Sequence, residues 1–255
     1  FTTLPQRTYQ VQLYTNSATE QNRFNDTIMG SSFTTAAANT ATITLGSGQL
    51  CSPTQARATA TVSGFGNNLF WYTQPVGGEP VARGATLNTT VVPANRTYFL
   101  GVNDVRTNIG PVNKNVLAAT GDYGQFTPSV NVTALTPVVI QRARMYFGAA
   151  GRITFIARDA STNDVVAQTV VEVTPTRTSP GTTNDMADTG RIIPLNLRLP
   201  SGQFTIAAQY ENGATVFRNN LIPTSPYPMT INQVFSITGN TAGDNFYYFF
   251  YDMEV

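Results

Sequence analysis

The run Leu69-Phe70-Trp71-Tyr72-Thr73-Gln74 places four large apolar or aromatic side chains in succession. It is followed by Gly77-Gly78-Glu79-Pro80-Val81-Ala82-Arg83-Gly84, and then by Tyr98-Phe99-Leu100. Aromatic residues favour a pleated, buried strand, and a Gly-Gly pair punctuates the chain where it must turn. The segment therefore reads as strand, turn, strand and closing strand. Upstream, Thr8–Tyr14 alternates Tyr9, Val11 and Leu13, Thr34–Leu45 is an Ala/Thr-rich strand, and Arg57–Ser63 alternates Ala58, Ala60 and Val62.

Downstream, Asn103–Gly124 is Gly/Asn-rich and weakly patterned, and reads as an inter-domain junction. Alternation resumes at Gln125–Thr133, Val138–Phe147 and Arg152–Arg158, the last with Ile153, Phe155 and Ala157 inward. It recurs at Asp164–Val173, Ile192–Leu199, Gln203–Tyr210, Thr215–Arg218, Val234–Thr238 and Phe246–Val255, with turn signals such as Asn212-Gly213 between. Short strands at this spacing, without a helical stripe, predict an all-β chain of sandwich or jelly-roll type.

Composition agrees. Charged residues are 11% of the chain, against about 25% in ordinary soluble domains. The polar surface falls to Thr, Asn, Ser and Gln, which suit strands and turns. Fifteen basic residues balance fourteen acidic ones, and Lys114 is the sole lysine. No basic stripe is present to displace counterions from phosphates, which argues against nucleic acid as a partner. No run reaches the roughly 18 apolar residues of a membrane span, so membrane insertion is not expected. The chain begins at Phe1 without a signal peptide and reads as a processed or excised piece.

The chain has no histidine and one cysteine, Cys51. Ser-His-Asp and Cys-His catalysis and most transition-metal sites are thereby excluded. A carboxylate pair remains open as chemistry. Most acidic residues fall in turns, however, and Asp252 with Glu254 reads as a solvated strand end. An enzyme is not expected. Asp185 and Asp188, in the long loop Pro175–Gly190, are the candidate ligands for calcium, the one cofactor considered, beside the plainer reading of a solvated acidic loop.

The segment from Cys51 to Val102 resembles the immunoglobulin-like modules repeated in large secreted and cell-surface, adhesin-type proteins of the Bacteroidota. The resemblance makes Trp71 the buried core tryptophan and Tyr98 the tyrosine-corner residue. Leu100 stands where an immunoglobulin has its second cysteine, so apolar packing replaces the inter-sheet disulfide. Leu195–Phe204, Tyr227-Pro228, Val234–Gly239 and Tyr247–Tyr251 resemble sandwich modules of the same proteins. Asp26-Thr27-Ile28 resembles the Asp-Thr/Ser-apolar acceptor of Bacteroidota O-glycosylation, which makes Thr27 a candidate glycosylation site.

The expected organisation is three-part. Residues 1–48 are the tail of a preceding module or a docking strand pair, residues 49–106 an immunoglobulin-like module, and residues 107–255 a larger jelly-roll-like β-sandwich. The last strand carries Phe246, Tyr248 and Phe250 on one face and Tyr247, Phe249 and Tyr251 on the other. Either both faces are covered within the domain, or one meets a partner or sugar ring. Tyr248, Phe250, Tyr227 and Tyr210 are the candidate ligand-binding residues. The expected function is a non-catalytic structural or adhesive segment of an extracellular or cell-surface protein. Its expected partners are neighbouring modules, like subunits or surface glycans. The alternatives are a carbohydrate-binding module of a polysaccharide-active protein, and a filament subunit assembled by strand addition with residues 1–20 as donor.

Overall fold

The computed structural model of the chain describes residues 8–14, 27–34, 40–45, 54–63, 68–92, 96–103, 105–117 and 120–255. Cys51 lies outside them. The fold is all-β, built of antiparallel sheets, and the chain divides into two compact units. One comprises Phe1–Trp71 with Arg83–Asn103, and the other Tyr72–Ala82 with Asp104–Val255.

The first eight strands are β1 Thr8–Tyr14, β2 Thr27–Thr34, β3 Thr40–Leu45, β4 Thr54–Ser63, β5 Leu69–Tyr72, β6 Ala82–Arg83, β7 Thr86–Val92 and β8 Phe99–Val102. The stretch read as one strand from Thr34 to Leu45 is thus the end of β2 and all of β3. β1 pairs with β2, β3 and β7 flank β4, and the third sheet runs β6-β5-β8. Thr27 opens β2.

In β5, Leu69, Phe70 and Trp71 are 6%, 3% and 1% exposed. Three consecutive buried residues mean that both faces of this strand are covered, which is why its sequence is a continuous apolar run rather than an alternation. Trp71 donates its Nε1–H to the carbonyl of Gly84 at 2.9 Å, and Gly84 N–H returns to the carbonyl of Leu69 at 2.8 Å. Gly84 stands at φ +100°, a conformation that favours glycine. Among the described residues of this unit, Ala58, Ala60 and Leu87 are also buried apolar side chains.

Among the described residues the second unit holds fourteen strands. They are β9 Asn108–Ile109, β10 Thr120–Gly124, β11 Val130–Ala134, β12 Val138–Met145, β13 Phe147–Ala149, β14 Gly151–Asp159 and β15 Val165–Val173. Then follow β16 Arg191–Leu199, β17 Gly202–Glu211, β18 Thr215–Asn220, β19 Met229–Ile231, β20 Phe235–Asn240, β21 Tyr247–Tyr248 and β22 Tyr251–Glu254. They form a six-stranded sheet in the order β15-β14-β17-β11-β20-β19 and a four-stranded sheet β16-β12-β22-β9. A third sheet runs β10-β18-β13, with β21 also on β18.

Period-2 alternation decides which face is core. Ile193, Leu195, Leu197 and Leu199 point inward from β16, while Ile192, Pro194, Asn196 and Arg198 point out. Ile153, Phe155 and Ala157 are each fully buried on β14, as their spacing predicts. The Phe155 ring meets Phe250 at 5.3 Å and Phe249 at 6.3 Å.

Two expectations need correction. The stretch Asn103–Gly124 is not a bare junction, because it supplies β9, β10 and a single 3-10 turn at Lys114–Leu117 to the second unit. The C-terminal strand is also not one run with two alternating faces. Phe249 at φ +65° separates β21 from β22, and Asp252 at φ +46° interrupts the regular alternation inside β22. Five of its six aromatic residues are 0–1% exposed, Phe246 being the half-buried one.

Gly148, in β13, lies close against Tyr123 of β10. A Cβ there would lie 2.6 Å from the Tyr123 Cβ and 2.8 Å from Thr215 Oγ1. Gly148→Ala is therefore expected to destabilise the chain by about 1–3 kcal/mol through overpacking. A urea titration checks this.

Candidate functional site

The densest polar chemistry in the second unit surrounds Lys114. The 3-10 turn carries its side chain inward until the residue is 1% exposed. The Nζ lies 4.3 Å from the ring centre of Phe217 and 5.1 Å from those of Tyr123 and Tyr146. Such contacts stabilise a buried cation. Nζ donates to Tyr123 Oη at 2.9 Å, and Tyr123 in turn donates to Asp188 Oδ2 at 2.6 Å. The amine therefore meets its counter-charge through a phenol.

Burial lowers the Lys114 pKa, with the Asp188 and Asp185 charges pulling the other way. Burial and then the hydrogen bond to Asp188 push the Tyr123 hydroxyl far above its ordinary value. The cage continues behind the lysine. Asn219, 1% exposed, donates Nδ2 to the Lys114 carbonyl at 3.0 Å and accepts from Tyr251 Oη at 2.7 Å.

Asp185 and Asp188 meet at this cage, and their oxygens are already occupied. Asp185 Oδ2 accepts from Thr178 N at 2.6 Å, Thr178 Oγ1 at 2.7 Å and Ser179 N at 3.1 Å, and Oδ1 from Ala187 N at 3.1 Å. Asp188 Oδ2 also accepts from Thr176 Oγ1 at 2.9 Å, and Oδ1 from Gly190 N at 2.8 Å. Carboxylates serving protein donors in this way do not present the several free oxygens that calcium requires. Among the described residues, no group of three or more His, Cys, Asp or Glu is placed to hold a metal ion. The two side chains instead tie the long loop down, which a solvated loop would not need.

The hydrogen bonds from Thr178 lead the forces that hold the Asp185 carboxyl down from 3.8 to about 2. A folded-state value below the unfolded one stabilises the fold above the unfolded pKa, and this is lost as pH falls through the folded value. Between about pH 4 and pH 2 the melting temperature of the wild type is expected to fall more steeply than that of Asp185→Asn. Thermal melts across that range check the difference.

The four candidate ligand-binding aromatics do not form a platform. Tyr248 and Phe250 are each 1% exposed and offer no ring face to a ligand. Tyr227 is half-buried, stacks on Tyr247 at 6.0 Å and donates to the carbonyl of Phe246 at 3.1 Å. Tyr210 donates to the carbonyl of Phe126 at 3.1 Å. Arg218 lies over the rings of Phe126, Phe246 and Tyr248 and donates to Tyr248 Oη at 3.0 Å. Tyr248 and Phe250 are buried because the chain turns at Phe249 and both faces of that segment are covered, while the half-buried Tyr210 and Tyr227 spend their hydroxyls on backbone carbonyls.

The C-terminal carboxylate pair is likewise structural. Glu254, 3% exposed, is held between the guanidinium groups of Arg106 and Arg142. Asp252 accepts from Asn108 Nδ2 at 2.6 Å. These contacts fasten β22 to β12 and β9.

A cleft of about 230 Å³ opens beside the lysine cage, lined by Val112, Asn113, Asn115, Arg144, Tyr146, Met186, Asp188 and Thr189. Arg144 donates to the carbonyl of Thr189 at 2.7 Å, and Asn115 to that of Met186 at 3.2 Å. The cleft has no activated nucleophile and no free acid–base pair: its one carboxylate, Asp188, is spent on three donors. Lys114, Tyr123, Tyr146 and Asn219 were not singled out as site residues by sequence reasoning. The one signal for them was that fourteen of the fifteen basic residues are arginine and the exception sits between asparagines.

No helix among the described residues is long and apolar enough to cross a membrane. No curated protein and no solved structure matched the chain. Residues 37–108 match the family model described as Ig-like domain, CHU_C associated. That stretch takes in β3 to β8 with the Trp71 core, and it is similar to an immunoglobulin-like module of Bacteroidota type.

Proposed function

We propose that the chain is a non-catalytic structural and adhesive segment of a large secreted or cell-surface protein. The match of residues 37–108 to an immunoglobulin-like module carries this reading. The site chemistry supports it. Every ionisable group of the lysine cage is bound to another protein group, so the cage braces the fold rather than acting on a substrate. Of the aromatic side chains that would suit a sugar, Tyr248 and Phe250 are buried, and Tyr210 and Tyr227 are half-buried with their hydroxyls bonded to backbone carbonyls. Contacts made by such a segment are weak singly and strengthen through multiple copies.

The test is adhesion by the whole chain displayed on beads, set against binding by the free chain on a glycan array. The reading predicts retention of beads on a cell surface, with no free-chain binding tighter than about 10 µM to any glycan. A free chain that binds one glycan at sub-micromolar strength would instead make it a carbohydrate-binding module.

A further inference from the structure

The cleft beside the lysine cage is lined by groups whose hydrogen-bonding capacity the fold does not use up. Its buried member is Tyr146, 1% exposed, with the ring packed edge-on against Tyr251 at 5.1 Å. The Tyr146 Oη accepts the Lys114 backbone N–H at 3.2 Å, and among the described residues its own proton meets no acceptor. A buried hydroxyl ordinarily donates as well as accepts. Burial pushes this hydroxyl up, while the Lys114 N–H and the Arg144 charge pull it down, so the guanidinium is a near neighbour.

Arg144 spends Nη1 on the Thr189 carbonyl and, among the described residues, forms no ion pair. Asn113 Oδ1 accepts the Asn115 N–H at 2.9 Å, which leaves the Nδ2 hydrogens unspent. The cleft thus offers three kinds of donor. Its carboxylate, Asp188, is covered by donors from Tyr123, Thr176 and Gly190, with the Lys114 charge behind Tyr123 to offset it. Asp252, the other acid whose charge reaches Tyr146, is bonded to Asn108 on β9. A ligand that accepts is therefore favoured, and the planar fork of arginine matches a carboxylate.

The rim adds a second requirement. Val112 and Met186, each 60% exposed, stand beside the Thr189 hydroxyl and the Asn115 carboxamide. A sugar ring has the matching pattern, with an apolar C–H face and hydroxyls that both donate and accept. At about 230 Å³ the cleft is smaller than the roughly 300–1,000 Å³ of drug-sized pockets and suits one ring.

We propose that this cleft binds a single acidic sugar, a hexuronate residue of a surface glycan, with Arg144 on the carboxylate and Tyr146 and Asn113 donating to its oxygens. Val112 and Met186 lie against the C–H face. The proposal supplies a contact for the adhesive reading above and rests on it. One small cleft makes a weak contact, with a Kd expected on the order of 1 mM.

The test titrates methyl β-glucuronide into the whole free chain and follows amide and side-chain signals by NMR. Saturable shifts are expected at Asn113, Asn115 and Thr189. Methyl β-glucoside and sodium acetate, which keep the ring or the carboxylate alone, are each expected to bind about tenfold more weakly. Arg144→Gln is expected to weaken the glucuronide about tenfold, and Tyr146→Phe, which keeps the ring, about threefold. Arg198→Gln, at an exposed arginine on β16, is expected to change nothing. The spectra also show whether each variant is folded. Absence of shifts in the cleft up to about 20 mM overturns the proposal. So does a glucoside or an acetate that binds as well as the glucuronide, or binding indifferent to both Arg144→Gln and Tyr146→Phe. A chain that retains beads on a cell surface yet ignores the glucuronide overturns the cleft alone and leaves the adhesive reading standing.

Discussion

Trp71→Ala is expected to destabilise the unit that contains it by about 3–5 kcal/mol, as truncation of a fully buried aromatic does when the cavity cannot collapse. Trp71 is 1% exposed, and it belongs to a run whose neighbours Leu69 and Phe70 are also buried, so little mobile material is at hand to fill the gap. The substitution also removes the Nε1–H donor and leaves the Gly84 carbonyl without that bond. Trp71→Phe separates the two effects. It keeps most of the ring volume and loses the donor, for an expected cost of about 1–3 kcal/mol. Since Trp71 is the sole tryptophan, fluorescence cannot follow the first variant. Hydrogen exchange at the amides of Ala60 and Leu87, both in the same unit, reads its stability directly. An Ala variant as protected as the wild type would remove Trp71 from the core.

Asp188→Ala is expected to cost about 3–5 kcal/mol, because it strips the counter-charge from a buried cation and leaves three donors unanswered. Those donors are Tyr123 Oη, Thr176 Oγ1 and the Gly190 N–H. Lys114→Met acts in the opposite sense. It takes the amine out of its ring cage without orphaning the Tyr123–Asp188 bond, so the change should lie within about 1 kcal/mol of neutral. The cycle between them is diagnostic. In the Lys114→Met background no stranded cation remains, and Asp188→Ala should cost less by at least about 1 kcal/mol. Urea titrations of the four proteins measure the coupling. Strict additivity would mean that Lys114 and Asp188 do not communicate through Tyr123.

The strands that alternate were legible in the sequence, and so was the all-β class. Ile153, Phe155 and Ala157 lie inward because side chains two apart share a face, and the buried run Leu69–Trp71 announced a strand covered on both sides. The C-terminal aromatics defeated the same rule. Alternation assumes an unbroken extended backbone, and the left-handed φ values at Phe249 and Asp252 end it. That left-handed turn is also why Tyr248 and Phe250, candidates for a ligand, fill the core instead. The lysine cage was illegible for a different reason. Lys114, Tyr123, Asp188 and Asn219 are brought together across as many as 105 positions of chain, from a stretch with no periodicity and a loop with no motif. Guards on a sheet edge, by contrast, can be read from sequence once the edges are known. Pro194 and Asn196 on β16 are then visible residue by residue.

Apolar packing and the Lys114–Tyr123–Asp188 bracing, rather than an internal disulfide or a bound metal, hold the described β-strands in place. Pulling the whole chain by its two ends, with a reductant and a chelator present and then absent, tests that claim most directly. Discrete unfolding events are expected at the same forces in both conditions, since apolar packing and the Lys114–Tyr123–Asp188 bracing hold the fold. Events that disappear or weaken when the reductant or chelator is added would contradict it.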